Sequence, residues 1–166
     1  MVKKNIIIAV LVLMLGAAAT HYLFQSEEKR VKKQFRMLSK LVSKDQDEDN
    51  FTMARKARDI GALFAENCQI KGHIKTFSGR YTRQEISGLA ARARFYFSIL
   101  TVRFHDLGIE FPEKQTARVA VTGQVSGTSK GGDPFNDEAM ELACTLRKLD
   151  DTWLFTAIEV VEVLEE

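Results

Sequence analysis

His105 and Asp106 are the one adjacent histidine and aspartate in the chain, and proton transfer is the chemistry such a pair suggests. Successive residues on a strand point to opposite faces, so these two side chains can meet only where the strand is bulged. A surface or structural role for His105 is the plainer expectation. His73 and Tyr81 lie around the stretch that Gly72 and Gly79 loosen, and they are the other polar candidates for acid–base work. Cys68 and Cys144 are the two cysteines. There is no CxxC and no neighbouring pair of histidines, so no metal site and no cofactor is expected. The two thiols either pair, if both face inward in an oxidising compartment, or serve as small buried apolar side chains.

The elements that would position these residues follow from periodicity. Val31, Phe35, Leu38, Leu41 and Val42 recur at helical spacing between Glu27 and Lys44, which predicts a first amphipathic helix. The run Asp45 to Asn50 supplies N-cap candidates for a second helix, along which Met53, Ala57, Ile60, Leu63 and Phe64 share a face. A short extended piece begins around Cys68 and Ile70. Thr82 and Glu85 form a capping box, predicting a third helix packed through Ile86, Leu89, Ala93, Tyr96 and Phe97. Beyond Ser98 the period becomes two. Val102 and Phe104 differ in parity from Ile109 and Phe111, as a bulge kinked at Gly108 would produce. Val119, Val121 and Val125 alternate with polar or small residues on a second long strand, and Met140, Leu142, Cys144 and Leu146 do so on a third. Asp150 and Asp151 make a tight turn into a last strand from Thr152 to Leu164.

Residues 5–24 are uncharged and almost wholly apolar, directly behind Lys3 and Lys4. Their length is close to the roughly 20 residues that a spanning helix needs, and Tyr22 and Phe24 suit an interfacial belt. Ala17, Ala18 and Ala19 offer a small-x-small cleavage pattern. The uncharged length favours a retained anchor over residues 1–25, with a domain over residues 26–166; secretion after cleavage near Ala19 is the alternative. The expected place is a bacterial inner membrane, crossed once, with the domain on the periplasmic side. A net charge of +2 is too mild to imply nucleic acid. The positive charge is nonetheless concentrated: Lys29, Arg30, Lys32, Lys33, Arg36, Lys40 and Lys44 crowd the first helix. Such a face can meet anionic headgroups, although a solvated face is the plainer reading.

Three helices, a short strand before the third, and a run of long bent antiparallel strands give an α+β fold of helices on a curved sheet. Ala62 to Cys68 at the end of the second helix, Gly79 before the capped third helix, and Leu149 to Phe155 around Trp153 carry a resemblance to the nuclear transport factor two-like superfamily. That resemblance implies a cone-shaped, cystatin-like domain. The superfamily holds isomerases, dehydratases, cyclases and secretion scaffolds, so the fold does not select a function. Its enzymes place an acid or a histidine inside the cone. Here the strand positions expected to face inward are apolar, among them Met140, Cys144, Trp153 and Phe155; with Tyr96 they are expected to line or fill the cone. Leu154, Ile158 and Val160 fall on the opposite face of the last strand, where a second copy of the chain would cover them. The expectation is a membrane-anchored binding or assembly module without catalysis, a homodimer with protein partners in an envelope complex. In plan it is similar to the single-span scaffold subunits of type IV secretion. The alternative is a small-molecule enzyme or carrier using the cone pocket, with His73, Tyr81 and His105 as its polar groups.

Overall fold

The computed structural model describes residues 25–72 and 78–164. Residues 5–24, on which the anchor expectation falls, and His73 lie outside the described residues. Among the described residues no helix is long and apolar enough to cross a membrane.

Helix α1 covers 25–42. Its apolar residues recur every three or four positions, so Val31, Phe35 and Leu38 share one face and are all buried. Each such side chain contributes about 1.5–3 kcal/mol relative to exposure. Helix α2 is Asn50–Ala62, capped by Asp49, whose side chain accepts from the Thr52 N–H at 2.9 Å. Strand β1, Phe64–Lys71, follows at once, so Phe64 begins a strand instead of ending the helix. Strand β2, Gly79–Tyr81, pairs back on β1, and α3 is Arg83–Tyr96. The capping box opens α3 as expected: the Thr82 hydroxyl accepts from the Glu85 N–H, and the Glu85 carboxylate accepts from the Thr82 N–H at 2.8 Å. Gly61 is buried where α2 meets α3; a Cβ there would stand 2.7 Å from the Arg83 carbonyl oxygen.

Strands β3 (Phe97–Glu113), β4 (Thr116–Ser129), β5 (Pro134–Leu149) and β6 (Thr152–Leu164) complete a six-stranded sheet in the order β2-β1-β6-β5-β4-β3. All neighbours are antiparallel except β1 and β6. The expected β5–β6 turn is present. Asp150 and Asp151 both take positive φ, at 46° and 61°, which aspartate tolerates better than most residues.

The α1 stripe lies on one face of the sheet. The Phe35 ring stands edge-on to both Phe104 and Phe155, with centroids 5.4 and 5.0 Å away. Val119, Val121, Cys144, Leu146, Trp153 and Phe155 complete a contiguous core with Ile60, Leu63, Phe64 and Ile86.

Three expectations are corrected. The bulge in β3 does fall between His105 and Gly108, but the residue with positive φ is Asp106, at 54°. Tyr96, expected to pack inward, is 62% exposed, as the helical turn carries it away from the sheet. The outward parity assigned to Ile158 and Val160 fails because β6 carries one extra residue ahead of them. The register slips at Thr156, so Ile158 pairs with Cys144 and Val160 with Leu142. Directly paired residues share a face, and both therefore lie on the core side. Leu154 does keep the outer parity, opposite Arg147, but is buried within the chain beside Met37, Leu41, Ala62 and Leu63. These three residues do not form an exposed apolar face.

Candidate functional site

The cone interior holds aromatic and aliphatic side chains at the positions where a pocket would lie. Cys144, Trp153 and Phe155 are buried in it, and Met140, opposite Gly123, is half-buried at its margin. Cys68 and Cys144 are free thiols. Burial pushes their pKa up, to about 11 and about 12. Tyr81 is half-buried against the core. His105 is exposed on β3 opposite Thr122, and its Nε2 lies 3.2 Å from Gln124 Oε1. The sequence candidates therefore do not converge: Tyr81 borders the helical core, His105 is on the edge strand, and Tyr96 lines a surface cleft with Phe95 and Lys130. Among the described residues no cluster of histidine, cysteine or carboxylate side chains could hold a metal ion.

Two buried cations organise one end of the fold. Arg94 is 1% exposed, and its Nη1 donates to the carbonyl oxygens of Leu41, Val42 and Ser43, the end of α1, at 2.5, 2.8 and 3.1 Å. Its Nη2 pairs with Glu48, which also holds Lys56. Lys44, 5% exposed and two residues past the end of α1, answers: its Nζ donates to the carbonyls of Arg94 and Phe97, at the end of α3, at 2.8 and 2.6 Å. Each helix thus ends on a cation supplied by the other, where the unpaired carbonyls and the helix dipole favour positive charge. Burial lowers the pKa of both cations, and for Lys44 the charges of Lys130 and Arg94 add to that effect. The sequence reading missed Arg94. The signal was present in the period, because positions 86, 90 and 94 share one face of α3.

At the other end of α1, Glu27 accepts from Trp153 Nε1 at 2.6 Å and from Lys148 Nζ at 2.9 Å. Arg30 reaches Asp151 in the β5–β6 turn at 2.7 Å. Burial raises the Glu27 pKa, but the bonds from Lys148 and Trp153 outweigh it and hold the carboxyl below its ordinary value. The crowd of positive charge on α1 is thereby divided. Lys44 and Arg30 serve the fold, while others face a groove.

That groove, of about 550 Å³, runs between α1 and β3, which is an edge strand of the sheet. Toward the end of α1 the helix is fastened to this edge. Lys44 and Leu100 exchange backbone hydrogen bonds, Ser43 Oγ accepts from the Val102 N–H at 3.1 Å, and Ser39 Oγ donates to the Val102 carbonyl at 2.6 Å. Beyond Val102 the fastening stops and the groove opens. Lys29, Lys32, Arg36 and Lys40 line it from the helix, and Arg103 and His105 from the strand. Phe35, Phe104 and Leu107 form its apolar lining. Lys32 is paired with Glu28 at 2.5 Å. Among the described residues, no carboxylate lines the groove.

No family model matches the sequence, and none of the curated proteins matches it. Solved structures do. A scytalone dehydratase-like protein from Novosphingobium aromaticivorans superposes with a TM-score of 0.66 at 15% identity, over 85% of this chain and 86% of that one. A type 2 hexachlorocyclohexane dehydrochlorinase gives 0.63 at 10% identity, over 84% and 88%. A protein of unknown function with a cystatin-like fold, from Nostoc punctiforme, gives 0.59 at 13% identity, over 84% and 92%. At these identities the likeness is one of fold, and the chain shares the cystatin-like fold.

Proposed function

We propose that this chain is a non-catalytic binding module, tethered by residues 5–24 to a bacterial inner membrane and presenting its cone on the periplasmic side to partners in an envelope complex. One observation carries the binding reading: Phe35 of α1 is inserted against Phe104 and Phe155 where an enzyme of this fold would keep its substrate space. The acids that approach the core are engaged: Glu27 accepts from Trp153 and Lys148, and Glu48 pairs with Arg94 and Lys56. The two buried cations, Lys44 and Arg94, are engaged with backbone carbonyls at helix ends, so neither is poised for proton transfer. What this fold exposes is a rigid frame with a charged groove on one edge. The tether is supported by the uncharged length of residues 5–24 alone.

Two measurements test the reading. A filled cone takes up no small apolar solute, so saturating benzene should leave the unfolding midpoint of the native chain unchanged, while Phe35→Ala, which opens a cavity, should be stabilised by it. A midpoint rise in the native chain would reveal an open cone and return the enzyme or carrier reading. Full-length protein made in a bacterium should stay in the membrane pellet after a high-salt wash with Met1 retained. A soluble species beginning at Thr20 would remove the tether while leaving the binding reading intact.

A further inference from the structure

We propose that the groove between α1 and β3 binds an anionic amphiphile, whose acidic head is held by Arg36, Arg103 and the lysines of α1 and whose apolar part lies on Phe104 and Leu107. The inference rests on the binding reading above, but not on the tether.

Charge comes first. Lys29, Lys32, Arg36 and Lys40 recur at intervals of three or four, so they stand along one flank of α1, about 16 Å from first to last at 1.5 Å per residue. Arg103 and His105 face them across the groove from a strand about 60 to 75 residues further along the chain. Like charges brought to one cleft repel one another. Several cations elsewhere in this fold have carboxylate partners: Arg30 and Lys148 meet Asp151, Lys56 and Arg94 meet Glu48, and Lys71 meets Glu159. In the groove, Lys32 alone has a carboxylate partner among the described residues. An anionic head supplies the missing counter-charge, and the planar guanidinium groups of Arg36 and Arg103 suit a phosphate or carboxylate.

The backbone adds a donor. Leu100 and Val102 direct their peptide groups to α1, where Lys44, Ser39 and Ser43 meet them. By the two-residue period of the strand, the Phe104 peptide group is next along this edge, at the point where the fastening has stopped.

The apolar lining then narrows the ligand class. A simple inorganic anion would use the cations and leave Phe104 and Leu107 wet. Both side chains are half-buried and continuous with the core through Phe35, so a ligand with a short hydrocarbon portion removes more apolar surface from water than the bare anion does. A membrane phospholipid and a free fatty acid share this chemistry, an acid on a hydrocarbon chain.

The test uses the full chain in neutral maltoside micelles, with native mass spectrometry to count bound molecules across a titration. Dioctanoyl phosphatidylglycerol and decanoate are the acidic arms; dioctanoyl phosphatidylcholine and inorganic phosphate are the controls. One molecule of an acidic amphiphile should bind per chain and neither control should, the tighter of the two acidic arms identifying the source. Arg36→Glu and Arg103→Glu should each weaken binding about tenfold or more, which corresponds to about 1.4 kcal/mol. Both side chains are exposed, so the variants should keep the native unfolding midpoint. Lys33→Glu makes the same charge change outside the groove lining and should change affinity by less than about threefold. The inference is overturned if no acidic amphiphile binds, if phosphatidylcholine or phosphate binds equally, or if Lys33→Glu weakens binding as much as Arg36→Glu does.

Discussion

Arg94→Met should be among the most destabilising single changes available in this chain. The wild-type guanidinium closes three carbonyls at the end of α1 and pairs with Glu48, whose side chain is only 6% exposed. Methionine keeps most of the volume and removes every donor. Hydrogen bonds to a charged group are worth about 1.5–3 kcal/mol each, but a simple sum overstates the loss, because water will reach some of the freed carbonyls. Breaking a buried pair by removing one partner typically costs about 3–5 kcal/mol, and we expect that range. Against a usual domain stability of about 5–15 kcal/mol, this leaves a marginal fold. Urea unfolding followed by the fluorescence of Trp153, the sole tryptophan, reads the change directly. With a slope of about 2 kcal/mol per molar, the midpoint should fall by about 2 M. The paired change Glu48→Met with Arg94→Met removes the stranded carboxylate together with its cation. It should therefore cost less than the sum of the single changes by about 1 kcal/mol or more. A loss below about 1 kcal/mol for Arg94→Met, or strict additivity in the double variant, would refute the view that the cluster fastens α1 to α3.

Further outcomes follow from the same contacts. The Glu27 carboxyl is held below its ordinary value of 4.5, so its contribution is present above that pH and is lost as pH falls through the folded value. Glu27→Gln should accordingly lower stability at about pH 7, with the gap to the wild type closing as the pH is taken below 4.5 in matched urea titrations. A Cβ on Gly127 would stand 2.4 Å from the Ile99 carbonyl oxygen on the neighbouring strand, so Gly127→Ala should destabilise by about 1–3 kcal/mol in chemical denaturation, by parting β3 from β4. Cys68 and Cys144, buried and with raised pKa, should resist alkylation by iodoacetamide near neutral pH in the folded chain and react fully in denaturant; rapid labelling of the folded protein would show that the core opens there.

Features set by neighbours in the sequence were legible from the sequence. The α1 stripe, the Thr82–Glu85 capping box, the alternation of β4 and the Asp150–Asp151 turn depend on side chains a few residues apart, whose spacing fixes which face they share. The cone followed from the order of these elements. What depended on a distant partner was decided only by the tertiary structure. Thr156 is an extra residue only relative to β5, so the sequence of β6 gave no sign that Ile158 and Val160 would turn to the core face. Arg94 falls on the buried stripe of α3, but only the docking of α1 provides the carbonyls and the nearby Glu48 that let a cation stay there. The basic run on α1 reads as a solvated face because periodicity describes one helix at a time. It lines a groove because Ser39, Ser43 and Lys44 fasten that helix to β3, and the distance between charges brought together by folding is set by packing, which no local spacing contains.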